Sequence, residues 1–166
     1  MQQKDIDYVI QAHQDYPRKP SKAYRKWDQK TPYFMHPLWC ASTISTETTL
    51  DAKIREEGIL TLLYHDILED TTRALPHWLS KEVQQSILNM TFQGGMSQEI
   101  RDIWNKEPKI RLYKLFDKVS NLLDGSWMDA EKRRVYGEYT QQLRQDVEQH
   151  YGILNITRIA ERIINI

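Results

Sequence analysis

Apolar residues recur at intervals of three and four along nearly the whole chain, and no long alternating run with hairpin turns interrupts them. A chain patterned this way can bury its apolar stripes only by packing helix on helix. The spacing predicts helices near 4–15, 37–47, 52–68, 79–91, 97–105, 109–123, 127–150 and 155–164. Pro37 suits the first turn of the second of these, and Pro108 the start of the one that holds KIRLYKLFDKVSNLL. Gly94-Gly95 breaks the chain between two helices, while Gly125 and Gly152 mark helix ends. The 166 residues suffice to bury roughly 70% of the unfolded surface. The expected architecture is therefore all-α, one domain over 1–166, a compact multi-helix globule rather than a regular four-helix bundle.

Inside the third predicted helix, LLYHDILEDTT (62–72) sets His65, Asp66, Glu69 and Asp70 among Leu62, Leu63, Ile67 and Leu68. Ionised carboxylates taken out of water cost several kcal/mol each unless a partner offsets the loss. These groups must lie on a solvated flank or surround something positive. Two other pieces can join them: His36 in TPYFMHP, just before a helix, and Asp117 in KLFDKVSN, with Asn121 one turn later on the same face. Two imidazoles and two carboxylates make a mixed nitrogen–oxygen shell that suits Mn²⁺, Fe²⁺ or Zn²⁺ better than Ca²⁺. Neighbours such as His65 and Asp66 point about 100° apart on a helix, so the ion would sit over the groove between them. Glu69 and Asp70, one turn on, would stand above the ion, placed to orient or deprotonate a water whose pKa the cation lowers.

Plainer readings exist for each piece. His-Asp is a common dipeptide, His36 can satisfy a loop carbonyl, and Asp117 can be a surface acid paired with Lys114 or Lys118. Their order and local contexts together favour the metal reading. His13, His77 and His150 fall outside those contexts and read as ordinary polar residues. The tryptophans at 27, 39, 78, 104 and 127 read as core or half-buried packing, with Trp27 and Trp127 as secondary candidates for stacking on a base.

One segment departs in composition. RKPSKAYRKWDQK (18–30) carries six basic residues against one acid, whereas the whole chain has zero formal net charge. It is either a solvated loop or a cationic lip over a phosphate-binding site. The overall balance offers no basic face for nucleic acid or a membrane surface. A single cysteine, Cys40, fits a reducing cytosol, no apolar run approaches a membrane span, and MQQKDIDYVI does not read as a signal peptide. A soluble cytoplasmic protein is expected, and oligomeric state is not legible.

The ordered set AHQDYPRK, PYFMHPL, LLYHDILEDT and KLFDKVSNLLD resembles the HD-domain hydrolases, and among them the hydrolase domain of RelA/SpoT-type alarmone enzymes. EKRRVYGEY and HYGILNITRIAERI extend the likeness towards the end of the chain, where a synthetase domain would begin in the long enzymes. The resemblance implies a stand-alone small alarmone hydrolase that removes the 3′-pyrophosphate of guanosine tetra- or pentaphosphate. It implies His36, His65, Asp66 and Asp117 as ligands of Mn²⁺ or another divalent transition metal. Glu69 and Asp70 become the acidic pair that activates water. Arg18 and Lys19 match a pair beside base and phosphates, Asn121 a residue near the ribose, and Arg134 and Tyr139 fall where related small hydrolases contact phosphate.

The chain also departs from that pattern. A longer basic segment joins Lys19 to Pro32, so Arg25-Lys26 competes with Arg18-Lys19 for one role. Tyr64 directly precedes His65, and Phe116 replaces the usual alanine before Asp117. These changes leave the metal chemistry intact and touch the substrate pocket. Two alternatives stand beside the main reading: the same chemistry on a nucleoside monophosphate or NADPH, and a catalytically idle nucleotide sensor.

Overall fold

A computed structural model describes residues 1–164. Among the described residues, nine α-helices run in the order α1 (Gln3–Asp15), α2 (Met35–Ser45), α3 (Ala52–Tyr64), α4 (Ile67–Asp70), α5 (Lys81–Met90), α6 (Gly95–Asp102), α7 (Pro108–Leu123), α8 (Ala130–Tyr151) and α9 (Asn155–Ile164). No strand is present among the described residues, and the all-α expectation holds. No described helix is long and apolar enough to cross a membrane.

The helix starts follow local chemistry. Asp51 accepts from the amides of Lys53 and Ile54 at the head of α3, Ser80 from Val83 at the head of α5, and Asp129 from Lys132 at the head of α8. Pro108 opens α7, and Gly152, at φ 75°, ends α8 in a conformation that other residues resist.

α7 is the axis of the molecule. It packs against α2, α3, α5, α8 and α9, and every residue from 110 to 120 is buried. Four of those eleven, Arg111, Lys114, Asp117 and Lys118, are charged. A helix buried on all sides is ordinarily apolar on all sides. This one stays viable because each charge meets an opposite charge, as described below. Gly58 lets α3 approach closely: a Cβ there would lie 2.5 Å from Ile44 Cδ1 of α2 and 2.6 Å from the Tyr113 ring of α7. The buried Glu47, between α2 and α3, accepts from the amides of Asn155 and Ile156 at 3.0 and 2.7 Å and so holds the start of α9.

Two expectations need correction. The predicted helix 52–68 is broken: α3 ends at Tyr64, residues 65–66 form a turn, and α4 restarts at Ile67. Asp66 takes φ −92° and ψ −4°, a bridge-region geometry that swings its side chain away from a regular helical direction. The predicted 97–105 helix is likewise α6 followed by a 3₁₀ turn over Ile103–Asn105.

The basic segment is not a free loop. Its start pairs with residues 70–72, Arg18 N donating to Asp70 O at 2.8 Å and Thr72 N to Tyr16 O at 2.9 Å. Farther along, Arg25 N donates to Thr31 O and Tyr33 N to Ala23 O, which folds 23–33 back on itself. The segment is thereby laid across α4.

Candidate metal centre

Four side-chain atoms converge where α2, the 65–66 turn and α7 meet. The Nε2 atoms of His36 and His65 lie 3.3 Å apart. Asp66 Oδ2 lies 3.4 Å from the first and 3.3 Å from the second, and Asp117 Oδ1 lies 3.3 and 3.8 Å from them. Ligands held about 2.1 Å from one ion stand about 3.0 Å apart at right angles and about 3.4 Å apart at tetrahedral angles. The atoms of His36, His65 and Asp66 lie close enough together to hold one ion, and Asp117 Oδ1 stands beside the two imidazoles.

Proton accounting strengthens the fit. His65 Nδ1 lies 2.7 Å from the Leu62 carbonyl, which can only accept, so Nδ1 carries the hydrogen. In its neutral form the ring would present a lone pair at Nε2 toward another imidazole and two carboxylates. His36 Nδ1 is likewise engaged, by Ser120 Oγ at 2.8 Å. Lone pairs gathered this way repel unless a cation joins them, and a partner fixing the far ring nitrogen is the usual support of a metal-bound histidine. Protons show the same demand: burial pushes the His65 imidazole down, yet the Asp66 and Asp117 carboxylates hold it up at about 9. The Asp66 carboxyl, resisted by burial, is drawn down to about 2 by His65 and His36. The donor set fits a divalent metal.

The break between α3 and α4 explains how adjacent residues can face one point. On a continuous helix His65 and Asp66 would diverge; the turn brings Oδ2 of one and Nε2 of the other to face the same point. Tyr33 donates to Asp66 Oδ2 at 2.8 Å, a contact that sequence reasoning missed. His13, read from sequence as an ordinary polar residue, is buried with its ring 5.0 Å from that of Tyr33, and burial pushes its imidazole down to about 4.

Asp117 faces two ways. Oδ1 looks to the imidazoles and accepts from Asn121 Nδ2 at 2.6 Å, while Oδ2 lies 3.2 Å from both the Lys114 and the Lys118 ammonium. Those two lysines share Glu99, at 3.1 and 2.8 Å. The Lys114 and Lys118 pairs foreseen for Asp117 exist, but in the interior instead of on a helix surface. Burial would raise the Asp117 carboxyl; the two ammonium groups win and hold it well below the usual range.

A cleft of about 210 Å³ opens over this centre. Glu69 and Asp70 line it. Glu69 Oε1 accepts from the Phe92 amide at 2.9 Å, and burial raises its carboxyl. Asp70 is raised by burial and by nearby Asp66, although Lys22 Nζ lies 2.6 Å from its Oδ1. Arg25, buried despite its place in the lysine-rich segment, donates to Asn121 Oδ1 at 3.1 Å and to Asp124 Oδ2 at 2.6 Å.

Four of the anticipated substrate residues lie elsewhere. Arg18 and Lys19 are exposed and absent from the cleft wall; Arg18 donates to the Leu68 carbonyl instead. The long insertion carries Lys22, Arg25 and Lys26 over the opening in their stead. On α8, Lys132 and Tyr136 share the cleft-facing side, which turns Arg134 about 160–200° away. Arg134 pairs with Glu131 and Glu138 of its own helix. Tyr139 is buried against Trp104. None of the five tryptophans is fully buried: Trp39 and Trp127 are half-buried, as the reading of core or half-buried packing allows, Trp27, Trp78 and Trp104 are exposed, and only Trp127 lines this cleft.

No family model and no curated protein matches the sequence. Its architecture does have a solved counterpart, described as a metazoan ortholog of SpoT that hydrolyses ppGpp and plays a role in starvation responses. The two superpose with a TM-score of 0.72 at 19% sequence identity, over 99% of this chain and 96% of that one. The shared fold is the all-helical one expected from the HD-domain resemblance.

Proposed function

We propose that this protein is a divalent-metal-dependent phosphohydrolase that removes the 3′-pyrophosphate of guanosine tetra- or pentaphosphate, giving GDP or GTP and pyrophosphate. The observation that carries the reading is the meeting of the His36 and His65 Nε2 atoms with Asp66 Oδ2 and Asp117 Oδ1, each imidazole 3.3–3.8 Å from each carboxylate oxygen. The fold held in common with a protein that hydrolyses ppGpp supports the choice of substrate.

Those four residues would hold the ion, Mn²⁺ by the family resemblance, which when bound polarises a phosphoryl oxygen and makes water more acidic. The remaining work belongs to the chain. Glu69 is tied at Oε1 by the Phe92 amide, which leaves Oε2 to take a proton from the attacking water. Its raised carboxyl makes it a stronger base than an exposed glutamate. Asp70, fixed by Lys22, orients the same water. The water oxygen adds to the phosphorus joined to the ribose 3′-oxygen, that P–O bond breaks, and the proton passes to the departing oxygen. Lys114 and Lys118 place two positive charges beside the reacting phosphate.

Purified protein loaded with Mn²⁺ is expected to release pyrophosphate from guanosine tetraphosphate; no turnover by a metal-loaded preparation rejects the assignment. The displacement of Arg18 and Lys19 from the cleft favours one further reading, the same chemistry on another phosphorylated nucleotide. A panel containing nucleoside monophosphates and NADPH separates the two.

A further inference from the structure

Six cationic side chains line the cleft, and their charges are spent unequally. Lys22 meets Asp70, Arg25 meets Asp124, and Lys114 and Lys118 meet Glu99 and Asp117, all at 3.2 Å or less. Among the described residues, Lys26 and Lys132 have no carboxylate partner. Both ammonium groups instead lie over the indole of half-buried Trp127, 4.3 and 4.4 Å from its centroid. They come from distant parts of the chain, Lys26 from the insertion and Lys132 from the first turn of α8. Two like charges brought to one ring repel each other, and the neighbouring Lys22 adds to the excess. Burial and Lys132 together lower the proton affinity of Lys26. An arrangement of this kind is completed by an anion that the protein itself does not supply.

The pair sits outward from the metal ligands. Asp117 is bonded to Asn121, Asn121 to Arg25, and Lys26 follows Arg25 in the chain. We infer that Lys26 and Lys132, mounted on Trp127, form an outer subsite for a phosphate group that is not cleaved. The ligand of this cleft is then a nucleotide phosphorylated at two separate positions, one at the metal ligands and one at the lysine pair. This inference rests on the phosphohydrolase reading for its inner end alone. The insertion that displaced Arg18 and Lys19 thereby supplies one half of the recognition, and α8 supplies the other through Lys132 rather than Arg134.

The test separates binding from turnover. In EDTA, so that no metal contributes, calorimetric titration with GDP probes the outer subsite by itself. The wild type is expected to bind GDP with a salt-sensitive affinity that falls about tenfold or more in the Lys26→Ala/Lys132→Ala double variant, and less in Lys132→Arg, which keeps the charge. With guanosine tetraphosphate and Mn²⁺ the same double variant is expected to raise KM with little change in kcat. Failure of the wild type to bind GDP, equal GDP affinity in the two proteins, or a loss confined to kcat would each overturn the subsite. If guanosine tetraphosphate is not hydrolysed at all, the GDP arm still decides this inference while the alarmone assignment falls.

Discussion

Glu69 and Asp70 are consecutive in sequence yet anchored differently, one by a backbone amide and the other by a lysine, and this difference underlies the separate roles proposed for them. Glu69→Gln keeps the shape and the Phe92 contact but cannot take a proton. It is expected to lower kcat by about 10²–10⁴-fold while leaving nucleotide affinity nearly unchanged; undiminished turnover would remove Glu69 from the mechanism. Because burial raises the Glu69 carboxyl, the acidic limb of the wild-type rate profile is expected above the ordinary glutamate range, with activity falling as the carboxyl protonates. His13 gives a separate prediction about stability. Its folded pKa, about 4, lies below the ordinary 6.5, so between these values the unfolded chain binds more protons and stability falls as pH drops. The buried imidazole therefore costs about 3 kcal/mol by pH 4 that it does not cost at pH 7. Urea unfolding of wild type and His13→Phe at both pH values checks this, since the variant should gain on the wild type by roughly that amount in acid. His13 carried no sequence signal of its own, because burial against Tyr33 is set by how α1 docks.

At the scale of elements, what was legible followed periodicity, and what was not followed interruptions of it. Leu62, Leu63, Ile67 and Leu68 keep helical spacing straight through the break at 65–66, so a continuous helix was the natural expectation, and only the need for His65 and Asp66 to face one ion hinted otherwise. The basic segment declared its charge but not its path. Its pairing with residues 70–72 places Arg25 and Lys26 where Arg18 and Lys19 were anticipated. On α8 the resemblance pointed to Arg134 and Tyr139, whereas the helix turns Lys132 and Tyr136 to the cleft. Two elements depend on single residues. Glu47→Ala removes a buried acceptor from the first turn of α9 and is expected to cost about 1–3 kcal/mol, with Glu47→Gln milder, both measurable by urea denaturation. Gly58→Ala would gain about 1 kcal/mol of helix propensity, but its Cβ meets Ile44 and Tyr113 within 2.6 Å. A net loss of about 1–2 kcal/mol is expected in the same assay.

Over the whole molecule, three segments far apart in sequence meet at one point, and an ion there would link α2, the 65–66 turn and α7. Mn²⁺ at about a hundredfold above its dissociation constant is expected to add about 2.7 kcal/mol, raising Tm by about 5–10 °C. His65→Ala should abolish that rise, and a shift that survives the substitution would place the ion elsewhere. The convergence was legible in sequence as a set of residue types. The lysine partners of Asp117 were foreseen, but their burial and the Glu99 they share were not, because a buried ion pair network looks, in a string of letters, like any polar helix. That network has a practical result. Lys114 and Lys118 hold Oδ2 of Asp117, so only Oδ1 would remain to meet a cation. Because those contacts do not depend on an ion, protein purified in the presence of chelators is expected to emerge inert yet intact, and returning Mn²⁺ to the buffer should restore it.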